Sequence, residues 1–337
     1  MPKPTVRDVH VNRPLTNISI AYVQNANNFI ADKVFPVVPV ESKSDLYWKY
    51  SRADFFRNEA KKRAPGTESA GGGYALETDS YNCEVEAFHK DIDDQTRANY
   101  DSELNADRDG TIFVTQKLLI AREVNFYSNF MQSGIWGTTV DGATTAGTGE
   151  VAYWNDGTSG DPIANIDTAI ATIMSNTGYA PNRLVLGFRV FQALKNHPDI
   201  VDRVKFVQNI GPNQAAKVTS SILADLFFDG LPGGGEVVIG AAVQNTANDG
   251  ATEATDFIGG DDALLVYANP SPSLMTPSGG YTMNWRGYMG NPQAMKIKKF
   301  RMDWLESDRI EGCMAYDQKL VASELGYYFN NIISLPA

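Results

Sequence analysis

Between residues 161 and 268 helical and strand patterns alternate with short connections, and this stretch limits the possible folds more than any other. Asp161-Pro162 opens a helix: the carboxylate caps a free N–H, and proline at the first position needs no donor. Ile166, Ile170, Ile173 and Met174 form the apolar face of that helix. A strand at 181–187, a helix at 188–197, a shorter helical turn at 199–207 and a helix at 219–228 follow, then strands at 236–240 and 263–268. Such alternation predicts a compact α/β domain.

The flanks read differently. Pro2, Pro4, Pro14, Pro36 and Pro39 interrupt residues 1–39, so long helices are disfavoured there. The expectation is an extended arm with a short helical piece at 18–30. Val34, Phe35, Val37, Val38 and Val40 are too apolar for a disordered tail. At 44–57, Leu46, Trp48 and Tyr50 alternate with polar residues, a strand pattern. Lys61, Lys62, Arg63 and a glycine-rich turn region follow, then a second run from Tyr74 to Phe88 with Tyr81, Cys83, Val85 and Ala87 on one face. These runs predict a long hairpin over 41–88. The clearest helix spans 109–133, with Ile112, Leu119, Ile120, Val124, Tyr127 and Met131 at helical period, Asp107 or Asp109 as its cap, and Gly134 and Gly137 beyond its end. Segments 137–160 and 241–256, rich in Gly, Thr, Ala and Asn, are predicted to be exposed loops with little core. Strands are expected at 294–302 and 308–321 and again near the C-terminus.

Charge and chemistry narrow the function. The net charge of −11 argues against tight nucleic-acid binding, which needs a basic face. Cys83 and Cys313, far apart, read as reduced thiols rather than a disulfide framework. No apolar run follows the basic N-terminal residues as a signal peptide would require, and no stretch approaches the roughly 18 apolar residues of a membrane span. The chain is therefore expected to fold in a cytoplasm. His10, His89 and His197 lack metal-ligand spacing, with His197 read as a capping or packing residue. Gly233-Gly234-Gly235 lacks the Lys-Ser/Thr ending of a phosphate loop. Asp91, Asp93 and Asp94 lack the glycine and distal glutamate of a calcium loop and read as a solvated acidic surface. No enzyme activity and no cofactor are expected.

Four segments resemble the major capsid proteins of tailed bacteriophages in the expected order: 30–57 (IADKVFPVVPVESKSDLYWKYSRADFFR), 167–205 (from DTAIATIM to DIVDRVK), 260–285 (GDDALLVYANPSPSLMTPSGGYTMNW) and 314–333 (MAYDQKLVASELGYYFNNII). The resemblance covers most of the chain. It implies an α+β protein of the Hong Kong 97 capsid fold, with an N-terminal arm at 1–39 and an extended loop at 40–88. A peripheral domain follows from 89–160 and 286–321, with the spine helix at 109–133. The axial domain is 161–285, joined by the C-terminal strand at 322–337. It further implies a virion shell assembled in the bacterial host from hexamers and pentamers of this chain around double-stranded DNA. Other partners would be a separate scaffolding protein, a portal and, in some capsids, a decoration protein. Packaged DNA would be touched weakly and non-specifically, and no membrane is involved. Met1 lies close to the arm, so the subunit is expected to lose little beyond Met1 on maturation. An encapsulin-type nanocompartment shares this fold and is the alternative. An α/β enzyme is a second one, which a pocket of convergent titrating groups would revive.

A long hairpin without its own core must lie on another surface to be ordered. Trp48, Tyr50, Phe55 and Phe56 are interface residue types, and Lys61, Lys62 and Arg63 stand beside them. Residues 41–63 hold seven Lys/Arg against four Asp/Glu, whereas residues 76–109 hold three against eleven. The expectation is that one subunit's basic loop meets a neighbour's acidic stretch, with Trp48 and Tyr50 in the subunit's own core as the competing reading.

Overall fold

The computed structural model describes residues 23–99, 105–208, 217–269, 271, 276–289 and 295–334. The first elements are α1 (Ala31–Val34), β1 (Val37–Val40), β2 (Ser44–Tyr50), α2 (Arg52–Phe55), β3 (Leu76–Asn82), β4 (Glu84–Asp93), α3 (Asp94–Ala98) and α4 (Ala106–Phe130). Next come β5 (Thr138–Ala143), β6 (Glu150–Ala152), α5 (Pro162–Thr177), β7 (Arg183–Gly187), α6 (Phe188–Asn196), α7 (Pro198–Gln208) and α8 (Ser220–Phe228). The last are β8 (Glu236–Gly240), β9 (Val243–Asn245), β10 (Thr255–Phe257), β11 (Ala263–Val266), β12 (Gly280–Trp285), α9 (Arg286–Met289), β13 (Lys296–Met302), β14 (Ser307–Leu320) and β15 (Gly326–Asn330).

Two sheets organise these elements. The six-stranded sheet runs β6-β5-β15-β11-β7-β8. Its central strands β15, β11 and β7 read as nearly unbroken apolar runs, as in the fully buried β11, because both faces are covered there. On one face Leu184, Leu186, Leu265 and Phe329 meet Ile163, Ile166, Ile170 and Ile173 of α5 and Leu223 and Phe227 of α8. On the other, Val185, Leu264, Val266 and Tyr328 meet α1 and the C-terminal half of α4. The five-stranded sheet places β12, β13 and β4 around the long β14, with β1 parallel to β12 at its edge. The N-terminal half of α4 lies on it through Val114 and Leu118, against Met314 and Tyr316. Gly312 permits this approach, since a Cβ there would stand 2.6 Å from Val114 and 2.7 Å from Leu118.

Helix α4 thus bridges the sheets, and its geometry departs from the sequence expectation. It begins at Ala106 rather than 109, and Asn105, not Asp107 or Asp109, caps it by accepting a hydrogen bond from the Arg108 N–H at 3.0 Å. Its buried positions step by four through Val114, Leu118, Arg122, Phe126 and Phe130. Each step overshoots a full turn by about 40°, so the stripe winds about 160° round the helix as it passes from one sheet to the other. Ile112, placed on the buried face by periodicity, is 39% exposed. Beyond the helix, Trp136 donates its indole N–H to the Phe130 carbonyl and Tyr328 its hydroxyl to that of Met131. Both occupy C-terminal carbonyls that the helix itself leaves free.

Several other expectations change. Residues 138–143 and 150–152 of the supposed loop at 137–160 are β5 and β6, and Trp154 beyond them is fully buried. Gly142 looks like loop composition but packs against the chain, since a Cβ there would lie 2.0 Å from the Asn331 carbonyl. Segment 241–256 is largely exposed, apart from the two-stranded pairing of β9 with β10 and the buried Ala242. Of the segments grouped from sequence, β5 and β6 pair within the six-stranded sheet, and β12 pairs within the five-stranded one. Asp91, Asp93 and Asp94 are not merely solvated. Asp91 takes two hydrogen bonds from Arg309 at 2.7 and 2.8 Å, Asp94 pairs with Arg301, and Asp93 caps α3. Of the expected helical piece at 18–30, the described part holds a 3-10 turn at Ala26–Asn28, while residues 1–22, and with them the expectation about the N-terminus, lie outside the described residues. Asp161 caps α5 as expected, and Cys83 and Cys313 are buried free thiols. His197 is buried at the C-terminal cap of α6, a packing position.

Candidate subunit-contact surface

Strands β2 and β3 pair antiparallel from Ser44↔Asn82 to Tyr50↔Leu76 and form a two-stranded ribbon joined to neither sheet by strand pairing. Its base is rooted. Tyr47, Tyr81 and Cys83 pack with Tyr281, Met283, Val38 and Val40, and burial pushes the Cys83 thiol up to about 11. The Tyr47 hydroxyl donates to Asp79 at 3.0 Å. At Cys83 the chain leaves the ribbon: the Cys83 N–H still bonds the Lys43 carbonyl at 2.8 Å, but Glu84 onward pairs with β14. The predicted second arm, one strand to Phe88, is therefore two strands in two sheets. For that reason Tyr81 and Cys83 are buried while Val85, on the same predicted face, is 44% exposed.

Strand alternation sends the opposite face of β2 to solvent. Leu46 is 63% exposed and Trp48 59%. The competing reading, with Trp48 in the subunit's own core, does not hold. Tyr50 is partly buried by a small ring cluster of its own, with Phe55 at 6.0 Å edge-on and Tyr74 at 5.7 Å. Phe55 and Phe56 on and just after α2 remain more than half exposed, and Phe56 points toward Gly178 at the end of α5. Lys61 and Lys62 are exposed without an ion-pair partner among the described residues, and the Arg63 guanidinium bonds the Thr67 carbonyl. All seven residues singled out from sequence thus lie on one projecting ribbon and its connection. The exposed Leu46, Tyr74 and Leu76 extend its apolar surface, and only the period-two pattern signalled them. A second exposed apolar point, Trp304 at 80% with Leu305, caps the β13–β14 hairpin; it sits between acidic turn residues, so no sequence pattern marks it.

The expected charge match is weakened by the fold. Asp107 pairs with Arg97 at 2.9 Å and Lys299 at 2.6 Å, so this carboxylate, like Asp91 and Asp94, is answered within the subunit. Residues 296–309 supply most of the opposing charge, and proximity in sequence did not reveal them. Among the described residues no group of three or more His, Cys, Asp or Glu is arranged to hold a metal ion.

Comparison with known proteins puts this architecture in context. No family model matches the chain. It is similar to the major capsid protein of Pseudomonas phage JBD67, 24% identical over 334 residues that cover 96% of this chain and 97% of that protein. The major capsid protein of Burkholderia phage BcepMu is 22% identical, with 96% of each chain covered. Among solved structures, a phage-related protein from Bordetella bronchiseptica RB50 superposes with a TM-score of 0.65 at 22% identity, covering 93% of this chain and 95% of that one. The capsid of cyanophage P-SCSP1u superposes at 0.59, 12% identical and covering 98% and 95%. The chain has the Hong Kong 97 capsid fold. An encapsulin from Synechococcus elongatus PCC 7942 shares that fold, with a TM-score of 0.53, 10% identity and 96% of each chain covered.

Proposed function

We propose that this chain is a phage major capsid protein, whose copies assemble as hexamers and pentamers into a closed icosahedral virion shell around double-stranded DNA. The observation that carries this reading is similarity to phage major capsid proteins along nearly the whole length, joined to a projecting ribbon whose apolar face has no cover among the described residues of the subunit. Subunit contact through Trp48, Tyr50, Phe55 and Phe56 supplies most of the affinity, because a buried aromatic anchor is worth about 2 kcal/mol or more against about 0.2–1 kcal/mol for an exposed ion pair. Lys61, Lys62 and Arg63 set register and salt sensitivity. The role is structural rather than enzymatic, and the subunit resides in the virion. The six-stranded sheet with α5 to α8 forms the axial domain. The five-stranded sheet with the N-terminal half of α4 forms the peripheral one, and residues before β1 form the arm. A separate scaffolding protein and a portal act in assembly.

Electron microscopy of the expressed chain, with and without its phage's scaffolding protein, tests this. Closed shells that hold double-stranded DNA in virions are expected. Subunits that stay monomeric under every assembly condition overturn the reading, and shells filled with an enzyme cargo assign the chain to nanocompartments instead.

A further inference from the structure

Two exposed apolar features other than the ribbon lie at one end of the five-stranded sheet. The first is the turn between β13 and β14. Trp304 is 80% exposed there and Leu305 53%, between the carboxylates of Asp303 and Glu306. The turn is fixed by its backbone: the Glu306 N–H bonds the Asp303 carbonyl at 3.3 Å, and the Glu306 carbonyl takes the Asp94 N–H at 3.0 Å. Glu306 stands in the left-handed region at φ 44°, a strained conformation that a non-glycine residue keeps only where its surroundings hold it. A protruding tryptophan is therefore presented to solvent on a preset turn, which lowers the entropy lost on docking.

The second feature is the outer side of α4. Val114 and Leu118 point to β14, which leaves Ile112 and Ile120 on the far side of the helix and Phe113 on its flank, beside Phe88 of β4. Ile112 is 39% exposed, Phe113 36%, and Ile120 is half-buried. Two ammonium groups stand over the Phe113 ring, Lys90 at 5.5 Å and Lys117 at 5.6 Å from its centroid, and neither has a carboxylate partner among the described residues. Asp109, the acid on this side of the helix, is taken by Arg108 at 3.2 Å. The turn is thus apolar and acidic, and the helix face apolar and basic. Within one copy they do not cover each other, since Trp304, Ile112 and Phe113 all remain exposed. They nevertheless share one end of the sheet, where Lys299 of β13 meets Asp107 of α4 at 2.6 Å.

We propose that the Trp304–Leu305 turn of one copy docks on the outer side of α4 in a second copy, with Trp304 against Ile112 and Phe113, and Asp303 and Glu306 opposite Lys90 and Lys117. Charge selects this occupant. Another copy's ribbon would bring Lys61 and Lys62, and residues 1–22 would bring Lys3, Arg7 and Arg13 against Asp8 alone, so both meet the two lysines with like charge. The turn brings two carboxylates instead. Asp303 is 93% exposed with Arg301 at 3.6 Å, a guanidinium that Asp94 already engages more closely. Tryptophan is also the residue type that most often anchors such contacts. Because the two surfaces differ, the contact is heterologous, and each copy gives its turn to one neighbour while receiving that of another. The inference rests on the assembly of this chain with itself and adds a contact separate from the ribbon.

Disulfide trapping between two single variants of the full chain tests the contact. Leu305→Cys and Ile112→Cys subunits are mixed, assembled into shells, oxidised with copper phenanthroline and separated without reductant; the native Cys83 and Cys313 are buried. A cross-linked dimer is expected from the mixture at about tenfold or more the yield from either variant alone. Adding Lys90→Glu/Lys117→Glu to the Ile112→Cys chain should cut that yield about fivefold or more, and adding Asp303→Lys/Glu306→Lys to its Leu305→Cys partner should restore it. Shells that lack the mixed cross-link overturn the contact and leave the capsid reading intact. An equal yield from Leu305→Cys alone overturns it too, because turn then meets turn. Wild-type chain that forms no shells removes the capsid reading; the cross-link is then read in concentrated subunits, where its presence supports the contact and its absence overturns it.

Discussion

Trp48 and Gly142 are opposite cases of what one side chain does here. Trp48 is 59% exposed in the subunit, so its removal costs the isolated fold little, within about 0.5 kcal/mol. Trp48→Ala is expected to give soluble subunits with an unchanged urea midpoint that fail to close shells, seen by electron microscopy. Normal shells from this variant would remove the ribbon as the joint. Lys61→Glu/Lys62→Glu is expected to leave shells intact at moderate salt while changing the salt concentration at which they form. Gly142 is the reverse, half-buried and closely approached by the backbone of Asn331 and Ile332. Its Ala variant must push against the Asn331 carbonyl and the Ile332 backbone and should cost about 1–3 kcal/mol of stability. Calorimetry checks this, and a melting temperature equal to wild type would contradict the packing argument.

Helix α4 shows how an element takes its shape from two partners. Its start rests on the Asn105 cap, and Asn105→Ala should cost about 1 kcal/mol by chemical denaturation. The cap lies next to an ion-pair network: Arg97, Lys299 and Arg301 all reach Asp308, and Arg97 and Lys299 also reach Asp107. The exposed Asp94 carboxyl, hydrogen-bonded by Arg301, is held below its usual range. A lowered carboxylate contributes stability above its unfolded value, near 3.9, and loses it on acidification through the folded one. Raising salt from about 0.05 to about 0.5 M should speed hydrogen exchange in 94–98 and 303–308 more than in 183–187, because exposed pairs are screened and a buried strand is not. Equal effects on both regions would show that the network holds nothing together.

The molecule as a whole is two sheets sewn together by α4, with a ribbon left outside both. In assembled particles, exchange should be slow across 138–143 and 150–154, which lie in or against the six-stranded sheet, and fast across 246–254, which is exposed. Fast exchange at 138–143 would return that segment to the loop its composition suggests.

Local patterns made most elements legible. The Asp161-Pro162 start of α5, the apolar runs of β7, β8 and β11, the helices at 188–196 and 220–228 and the long strands after 295 all follow from capping, periodicity and side-chain branching, which act within a few residues. The aromatic run at 48–56 likewise marked the candidate contact surface, since such residues have few other uses on an uncored hairpin. Partnerships distant in sequence were not legible. That Gly142 stands against Asn331, that Arg301 answers Asp94, and that Arg122 and Glu123 lie buried beneath α1 depends on chain segments brought together by folding. Composition counts a glycine as loop and a charge as surface. Close backbone approach and a buried hydrogen-bond partner reverse both readings, and only three-dimensional packing supplies them.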